Sequence, residues 1–447
     1  MIQKSVSSDR GLRPDSASSQ SSEVAEPSAP VTRHRLVSMD FIRGIAVLGI
    51  LAANIHAFGQ PMIAYFWPEG ALVEPSEETP WMWLAQFVLI DGKMRGMFSI
   101  LFGAGMMLFM ERAWAAGHSR GLQMRRLVWL LVFGLIHYFF LWRGDILTLY
   151  AMCGMIGLLA LRWQARTQMI TGMALYLLGA AYNTALFGFL YLVTETPLGL
   201  REDMSGAREE VIAWSDKEMR DGQNEAILIS QGDYGGWVAH NFSAHGWDWL
   251  GAITQSGLET IPLMLIGMAL YRFGLFSGQM DHARQALWGW VALLCGACAT
   301  LLIGLWSLQQ GLTFPVAMFA FLGPSTFTRL PMIMGLMALL ALYAPRATGW
   351  LGIRLRAAGQ VAFTNYIGTS ALMLLVFHGW ALGQYGEFGR AQLYLVVMAG
   401  WIIMLAWPKP WLKHFRYGPL EWLWRCLTYG KIFSIRRVDN ISANYSQ

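Results

Sequence analysis

The feature that most constrains this chain is a series of ten apolar stretches, each close to the length that crosses a bilayer. A membrane-spanning helix needs about 20 consecutive apolar residues, because the hydrocarbon core is about 30 Å thick. The stretches are 39–58, 94–112, 127–143, 146–163, 169–193, 250–271, 286–308, 326–344, 358–380 and 391–408. Runs of this length favour helices that satisfy their own backbone hydrogen bonds in lipid. The sequence therefore predicts an all-α, polytopic integral membrane bundle of about ten transmembrane helices.

The composition agrees with a membrane protein. Of the 447 residues, 55% are hydrophobic and only 14% are charged, whereas charged residues make up about 25% of a soluble domain. The 21 tryptophans fit aromatic belts at two membrane interfaces. The net charge of +5 comes from Lys and Arg in short loops, and no nucleic-acid-binding motif is present. The predicted partner is the lipid bilayer, and no nucleic acid is expected.

Lys and Arg are distributed unevenly between the loops, which predicts the orientation. Cytoplasmic loops of membrane proteins carry an excess of these two residues. The connections 59–80 and 308–327 contain neither of them. The alternate connections contain many, including Arg112, Arg120, Arg125, Arg126, Arg162, Arg166, Arg272, Arg284, Arg346, Arg354 and Arg356. Both termini are therefore predicted to be cytoplasmic.

The chain divides into a membrane domain and two tails. Residues 1–32 are rich in Ser, Pro and Glu, which predicts a disordered cytoplasmic tail. Residues 33–431 form the predicted transmembrane domain, and residues 432–447 form a cytoplasmic C-terminal tail. The one long extracytoplasmic loop, 194–249, contains a predicted helix at Ala207–Ile229. This loop is either a lid over the bundle mouth or a solvated connector.

Ionisable residues interrupt the apolar sequence most clearly at Gly134–Tyr150. An ionisable group in a membrane segment is costly, so it is a functional-site hypothesis by default. Eight residues separate His137 from Asp145, which on a continuous helix corresponds to about 12 Å of rise and about 80° of rotation. The two side chains could then line one cavity. The alternative is that His137 bonds a neighbouring helix while Arg143 and Asp145 form an interfacial ion pair.

The first predicted helix carries a polar stripe. Arg43 and Asn54 are eleven residues apart and share a helical face, and Asp40 is one turn from Arg43 and can pair with it. We expect this stripe to face the bundle interior. In the alternative interpretation, Arg43 extends to the cytoplasmic surface and Asn54 bonds another helix.

A second charged cluster, Asp91, Lys93 and Arg95, precedes the second predicted span near the outer surface. The two cations need an anionic partner, which could be Asp91, Asp145 or a bound anionic ligand. The alternative is a pair of cations that reach the interface. The surrounding segment 81–112 fits either one long tilted helix or two helices.

Two more features complete the set of candidate residues. Asn365, within Thr364–Tyr366, enters a membrane helix and is expected to face the core. His56 lies at a similar predicted depth to His137 and Asp145, in the outer half of the membrane. The four cysteines do not show the spacing of a zinc-ligand set, so no metal site is predicted.

Several motifs together resemble the YeiB-like bacterial membrane family, the domain of unknown function 418. They are D-x-x-R-G-x-A-x-L-G-I-x-x-x-N at Asp40–Asn54, F-S-x-L-F-G-x-G at Phe98–Gly105, G-x-x-H…G-D-I-L-x-x-Y at Gly134–Tyr150, T-N-Y at Thr364–Tyr366 and W-L-x-x-F-x-x-G-P-x-E-W-x-W-R at Trp411–Arg425. The resemblance covers roughly residues 34–431. It implies a multi-pass protein of the bacterial cytoplasmic (inner) membrane.

That family is similar, more distantly, to transmembrane acyltransferases, which include the acyltransferase-3 enzymes and the heparan-glucosaminide acetyltransferases. The similarity implies transfer of an acyl group from a cytoplasmic thioester to an extracytoplasmic sugar or lipid. Acyltransferase-3 enzymes carry an Arg and a His eleven residues apart in the first helix. Those positions are Arg43 and Asn54 here, so His56 or His137 would have to supply the histidine.

The resemblance implies roles for particular residues. His137 would be the general base, oriented by Asp145. Arg43 would bind the donor, and Asn54 would donate a hydrogen bond to the thioester oxygen as that oxygen gains charge. His56 is the other candidate in the catalytic set. The predicted substrate-binding residues are Asp40, Arg43, Asp91, Lys93, Arg95 and Asn365.

The implied donor substrate is acyl-coenzyme A, with no permanently bound cofactor. The alternative function is a transporter or exporter of a small organic anion or lipid intermediate, in which the same residues form a polar path and a proton relay. A non-catalytic scaffold for envelope enzymes is a third interpretation.

Overall fold

The computed structural model describes residues 36–437, which form seventeen α-helices. The first nine are α1 (Val37–Gly59), α2 (Thr79–Leu89), α3 (Lys93–Ala115), α4 (Arg120–Phe140), α5 (Leu147–Gly157), α6 (Ala165–Glu195), α7 (Ser205–Ser230), α8 (Tyr234–Ala244) and α9 (Asp248–Arg272). The remaining eight are α10 (His282–Gln309), α11 (Phe314–Leu322), α12 (Ser325–Tyr343), α13 (Trp350–Gln360), α14 (Ala362–Phe377), α15 (Arg390–Ala406), α16 (Pro408–His414) and α17 (Pro419–Tyr429). Within these residues no β-strand forms, which confirms the all-α class.

The predicted N-terminal tail, 1–32, lies outside the described residues. The same is true of residues 438–447 of the predicted C-terminal tail, 432–447.

Seven helical segments of residues 36–437 are long and apolar enough to cross a membrane. The helices α13 and α14 form a pair bent by 87°, which makes an eighth span if the pair is counted as one. The seven segments are Val37–Gly59, Thr79–Ala115, Ala165–Glu195, Asp248–Arg272, His282–Gln309, Ser325–Arg346 and Arg390–His414. The chain is thus a multi-pass membrane protein by the length and composition of its helices.

The difference from the predicted ten spans arises at α4 and α5, which correspond to the predicted spans 127–143 and 146–163. Neither is among the helices that meet the criteria of length and composition. With 11 residues, α5 rises only about 16 Å, and the short 3₁₀ turn Leu158–Ala160 follows it. The predicted span 146–163 is therefore not one continuous helix, because it is divided between α5, the 3₁₀ turn and a bend.

The segment 81–112 consists of two helices, α2 and α3, separated by a short break. Gly92 in that break has φ +73°, a left-handed conformation that favours glycine. A Cβ atom at Gly92 would also overlap the guanidinium of Arg329. The break therefore lets a buried arginine approach the start of α3.

The loop 194–249 folds into α7 and α8, which together we call the cap. The helix α7 (Ser205–Ser230) confirms the helix predicted at Ala207–Ile229. One backbone and one side-chain hydrogen bond join the cap to the ends of membrane helices: Gly379 N donates to Ile229 O at 2.8 Å, and Tyr234 Oη donates to Phe140 O at 2.7 Å. The cap is therefore held against the bundle.

Candidate functional site

The structure brings His137 and Asp145 into direct contact. His137 Nδ1 lies 2.9 Å from Asp145 Oδ1, and the two side chains are 1% and 0% exposed. Asp145 Oδ2 accepts a hydrogen bond of 2.6 Å from the backbone N–H of Thr148, which fixes the carboxylate at the start of α5. Gly134 permits this approach, because a Cβ atom there would overlap Thr148 N.

The other ring nitrogen of His137 contacts a serine that the sequence analysis did not identify. His137 Nε2 lies 2.8 Å from Ser370 Oγ, and Ser370 is fully buried on α14. The order hydroxyl, imidazole, carboxylate is the arrangement by which enzymes activate a serine nucleophile. Ser370 follows Tyr366 of the T-N-Y motif by one helical turn on the same face, which is the signal that could have revealed it.

Arg143 does not form the predicted alternative ion pair with Asp145. Its guanidinium pairs with Glu225 of the cap and lies 3.8 Å from Asp221. Glu225 Oε1 also accepts a hydrogen bond of 2.9 Å from Trp237 Nε1. Arg143 therefore ties the connection between α4 and α5 to the cap and leaves Asp145 to His137.

Arg143 lines two cavities. The larger, about 260 Å³, lies beneath the cap, and its wall includes Tyr138, Arg143, Asp145, Thr148, Asp221, His245, Asp248 and Trp249. The smaller, about 30 Å³, is lined in part by Phe58, Trp142, Met373, Phe377 and His378. Asp145 thus borders the larger cavity, and Met373, one turn beyond Ser370, borders the smaller one. His137 itself lines neither of them.

The larger cavity differs from the one expected from the sequence. His137, expected to line one cavity together with Asp145, does not line it, and neither do the predicted substrate-binding residues Asp91 and Arg95. They belong to a separate buried cluster beside the break between α2 and α3. The physical reason is that Arg95 is held by a carboxylate on another helix, α9.

That carboxylate is Glu259, which the sequence analysis also missed. Arg95 Nη2 lies 2.5 Å from Glu259 Oε2, and Arg329 Nη1 lies 3.2 Å from both carboxylate oxygens. Asp91 accepts a hydrogen bond of 2.9 Å from Gln86 Nε2 rather than from a cation. Glu259 is an acid in an otherwise apolar predicted span, a sequence signal of the kind that identified His137.

Lys93, the other cation of this cluster, is 1% exposed. Its ammonium donates to the backbone oxygen of Phe87 and lies 5.5 Å from the centre of the Phe87 ring. Arg95 thus pairs with Glu259 and Lys93 donates to Phe87 O, rather than to Asp91 or Asp145, the two protein partners predicted for these cations. The alternative of cations that reach the interface is excluded for Lys93 by its burial.

The residues of the polar stripe of α1, Asp40, Arg43 and Asn54, differ in how far they are buried. Asp40 is 4% exposed, and Arg43 Nη1 lies 3.6 Å from its carboxylate. The Arg43 side chain is 28% exposed and reaches towards Gly105 of α3. Asn54 is half-buried. The predicted pairing of Asp40 with Arg43 is present, at the end of α1 remote from the cap.

The other two histidines near the cap end are buried. His56 is 3% exposed, and neither of its ring nitrogens has a hydrogen-bond partner among the described residues. Its ring meets that of Tyr394 edge-on at 5.8 Å between centroids. His378, which directly follows α14, is 4% exposed. Both histidine side chains therefore lie inside the protein.

Asn365 makes hydrogen bonds within the protein. Its Oδ1 accepts from Trp407 Nε1 at 2.8 Å, and its Nδ2 donates to Ala358 O and Met404 O, both at 3.4 Å. Asn365 lines neither of the two cavities. Its described contacts join α13, α14 and α15 rather than face a substrate.

The cap contributes further ionisable groups. Burial alone would raise the pKa of Glu225, but the Arg143 charge and the Trp237 hydrogen bond outweigh burial and lower it. Burial would likewise raise the pKa of Asp221, but contact with His245 and the charge of Arg143 lower it. For His245, burial opposes protonation, while Asp221 and Asp248 outweigh it and raise the pKa. These interactions therefore favour the ionised forms of Glu225 and Asp221 and the protonated form of His245.

Comparisons of this chain with known proteins identify its family. Residues 270–431 match the family described as "Protein of unknown function (DUF418)". "Uncharacterized protein YeiB" of Escherichia coli K12 is 31% identical over 405 residues, which cover 88% of this chain and 96% of that relative. This chain belongs to the YeiB-like DUF418 family. No solved structure matches the chain.

Two further relatives of this DUF418 protein are similar over comparable lengths. "Uncharacterized protein YxaH" of Bacillus subtilis is 28% identical over 422 residues, covering 89% of this chain and 95% of the relative. The "Uncharacterized 39.9 kDa protein in amylase 3'region" of Bacillus acidopullulyticus is 26% identical over 402 residues, covering 90% and 96%. These names state no activity. A function can therefore be inferred only from the geometry of the site.

The C-terminal motif of this DUF418 protein supports the helix that carries Ser370. Glu421 of the motif accepts hydrogen bonds from the backbone N–H groups of Phe363 at 2.8 Å and Thr364 at 3.1 Å. Its other oxygen accepts from Thr364 Oγ1 at 2.5 Å. A carboxylate in the first turn satisfies otherwise unpaired N–H groups and interacts favourably with the helix dipole. The motif therefore fixes the start of α14.

Proposed function

We propose that this protein is a membrane-embedded acyltransferase in which Ser370, His137 and Asp145 act as nucleophile, base and orienting group. The observation that carries the proposal is the contact of His137 with Ser370 Oγ on one side and Asp145 on the other. A serine hydroxyl is a weak nucleophile until an adjacent base accepts its proton. Asp145, whose Oδ1 lies 2.9 Å from Nδ1, would stabilise the protonated imidazole.

In the proposed first step, Ser370 Oγ attacks the thioester carbonyl while its proton passes to His137 Nε2. The carbon–sulfur bond breaks, and the departing thiolate takes the proton from His137. In the second step an acceptor hydroxyl gives its proton to His137 and attacks the Ser370 ester. The ester bond to Ser370 breaks, and Ser370 Oγ recovers the proton. Each step balances with acyl-coenzyme A and an alcohol as the only reactants.

A covalent intermediate suits a reaction whose substrates lie on opposite sides of a membrane. The donor would enter from the end of α1 that carries Asp40 and Arg43, with Arg43 binding its phosphates. Asn54 would stabilise charge on the thioester oxygen. The acceptor would occupy the 260 Å³ cavity beneath the cap, whose size is close to the lower limit of about 300 Å³ for ligand pockets. That size favours a small sugar or headgroup moiety of a larger acceptor.

The proposed intermediate predicts covalent labelling of Ser370 by radioactive acetyl-coenzyme A when no acceptor is present. We expect wild-type protein to carry an ester that survives neutral hydroxylamine and is released at alkaline pH. Ser370→Cys should carry a thioester that neutral hydroxylamine releases, and Ser370→Ala should carry no label.

The matched control for this labelling is Thr369→Ala, which removes the neighbouring hydroxyl on the same helix. Thr369 Oγ1 donates to the backbone oxygen of Asn365 at 2.6 Å, and no hydrogen bond among the described residues joins it to a histidine. It should be labelled like the wild type. Equal labelling of Ser370→Ala and wild type would refute the role of Ser370.

The alternative function, transport of a small organic anion or lipid intermediate, is favoured by a different observation. The break between α2 and α3 lies beside the buried charges of Glu259 and Arg329 and the half-buried charge of Arg95. Interrupted helices with buried ions are typical of secondary transporters. Saturable binding of acetyl-coenzyme A to the purified protein supports the transferase. Substrate counterflow into proteoliposomes without such binding supports the transporter.

We also propose a bacterial inner-membrane protein with ten crossings and both ends in the cytoplasm, in which α4 and α5 supply the crossings that length and composition alone do not identify. The connections predicted to be outside converge on the cap: Arg143 pairs with Glu225, and Gly379 bonds Ile229. Reporter fusions at Gln447 should therefore report the cytoplasm, and fusions within the cap should report the periplasm. A cytoplasmic signal from the cap would overturn the topology.

A further inference from the structure

Three side chains of types that bind metals lie close together beside the larger cavity. None of them belongs to the proposed triad. They are Asp221 of α7, His240 of α8 and His245, which directly follows α8. His240 Nε2 lies 3.2 Å from Asp221 Oδ1, and His245 Nε2 lies 3.0 Å from Asp221 Oδ2. One ligand atom from each residue lies within 4.8 Å of the other two. The three groups thus surround one small volume.

The contacts within this cluster are unsatisfied as hydrogen bonds. Both Nε2 atoms are buried, and neither has a hydrogen-bond partner among the described residues. His245 Nδ1 lies at a hydrogen-bonding distance of 2.7 Å from Asp248 Oδ2. When Nδ1 donates to Asp248, a neutral ring would direct the lone pair of Nε2 at the Asp221 carboxylate, which is also an acceptor, so either a second proton on the ring or a metal cation is needed between them. Two facing acceptors are stabilised by a cation between them.

We propose that Asp221, His240 and His245 bind a divalent transition-metal ion, with zinc as the best fit. Zinc binds histidine nitrogen at about 2.0–2.1 Å and carboxylate oxygen at about 2.0–2.2 Å, so ligand atoms of a tetrahedral site lie about 3.3 Å apart. The observed 3.2 and 3.0 Å separations are close to this value. The cysteine spacing predicts no metal site. The ligands proposed here are instead an aspartate and two histidines, which come from two cap helices and the turn after them.

The surroundings of the site match those of known metal centres. A carboxylate that accepts the second N–H of a metal-bound histidine fixes its tautomer, and Asp248 is placed to do this for His245. Asp221 and Asp248 together balance the charge of a divalent ion. The nearby cation Arg143 pairs with Glu225 and also lies 3.8 Å from Asp221, so Glu225 is the third carboxylate that balances the local charge. The local charge therefore favours binding.

Three protein ligands leave one coordination position of a tetrahedral zinc ion free. Asp221 and His245 both line the 260 Å³ cavity, so the free position faces its interior. A ligand that carries a hydroxyl, carboxylate or phosphate oxygen could bind there. The ion would also join α7 and α8 to the start of α9. This inference does not depend on acyl transfer.

The test is metal binding by purified full-length protein that carries no polyhistidine tag. After treatment with a chelator, the protein is titrated with Zn²⁺ by calorimetry and with Co²⁺ by visible absorption, which is intense for four-coordinate cobalt. We expect one equivalent to bind. Asp221→Asn, His240→Gln and His245→Gln should each weaken binding more than about 100-fold, and Asp248→Asn by about 10–100-fold.

Two matched variants complete the test. His282→Gln replaces an exposed histidine at the start of α10 and should bind zinc like the wild type. Ser370→Ala should also bind zinc normally, so failure of the metal site and failure of the transferase are distinguishable. Thermal melts without metal establish that the ligand variants fold. No stoichiometric binding by the wild type, or equal binding by wild type, ligand variants and Asp248→Asn, would overturn the proposal.

Discussion

His137→Ala is expected to lower the rate of acyl transfer by at least about 10³-fold while the protein still folds and inserts, because Ser370 loses the base that accepts its proton. The substitution also leaves the buried Asp145 carboxylate without its imidazole partner, which lowers stability, so the rate is expressed per folded protein, as judged by the thermal unfolding midpoint. The measurement is acyl incorporation into envelope glycans or lipids at matched expression. His282→Ala, at an exposed position, is the control.

Double variants sharpen this prediction. If Ser370 and His137 act as one unit, Ser370→Ala combined with His137→Ala should be no slower than either single variant. Multiplicative losses would show that the two residues act separately. Equal rates for His137→Ala and wild type would remove His137 from the mechanism. A large loss in His56→Ala alone would then assign the base to His56, whose ring nitrogens have no described hydrogen-bond partner.

Glu259→Ala is expected to destabilise the folded protein by about 3–5 kcal/mol, because it leaves the buried Arg329 and the half-buried Arg95 without their shared carboxylate. The expected result is a large fall in the thermal unfolding midpoint of detergent-solubilised protein. The unfolding midpoint of Glu259→Gln should lie between those of the wild type and Glu259→Ala, since glutamine still accepts hydrogen bonds but carries no charge. Glu202→Ala, at an exposed position before the cap, should melt like the wild type.

The outcome at Glu259 bears on the choice between the two functions. An unchanged unfolding midpoint in Glu259→Ala would contradict the inferred role of Glu259 as the counterion of Arg95 and Arg329. If the midpoint falls but acyl transfer persists in the remaining folded protein, the cluster serves structure. If transport is lost in Glu259→Gln at nearly normal stability, the cluster serves a transport path.

The first helix and the cap show what the sequence predicts well. The pairing of Asp40 with Arg43 follows from helical spacing, since residues three apart lie on one face. The cap helix at Ala207–Ile229 follows from a polar stretch without proline that glycines terminate. Such features depend on neighbours in the sequence. Local periodicity is therefore sufficient to predict them.

The sequence also identified His137 and Asp145 as a candidate site, because ionisable groups in apolar runs are costly. It could not supply their geometry. Eight residues of continuous helix would separate them by about 12 Å, whereas the end of α4 at Phe140 folds the chain back and places them 2.9 Å apart. A turn inside an apolar run carries little signal, because lipid-facing and protein-facing apolar residues look alike in one sequence.

The partners of these residues were decided by tertiary structure alone. Ser370 is 233 residues from His137, and Glu259 is 164 residues from Arg95. Asp221 meets His240 and His245 only because α7 and α8 fold against each other. By itself the sequence determined that these chemical groups lie in or beside a membrane bundle, because burying charge has a high local cost. Which groups neutralise one another depends on helix packing, since the free energy of a charge pair depends on a distance in space that sequence separation does not contain.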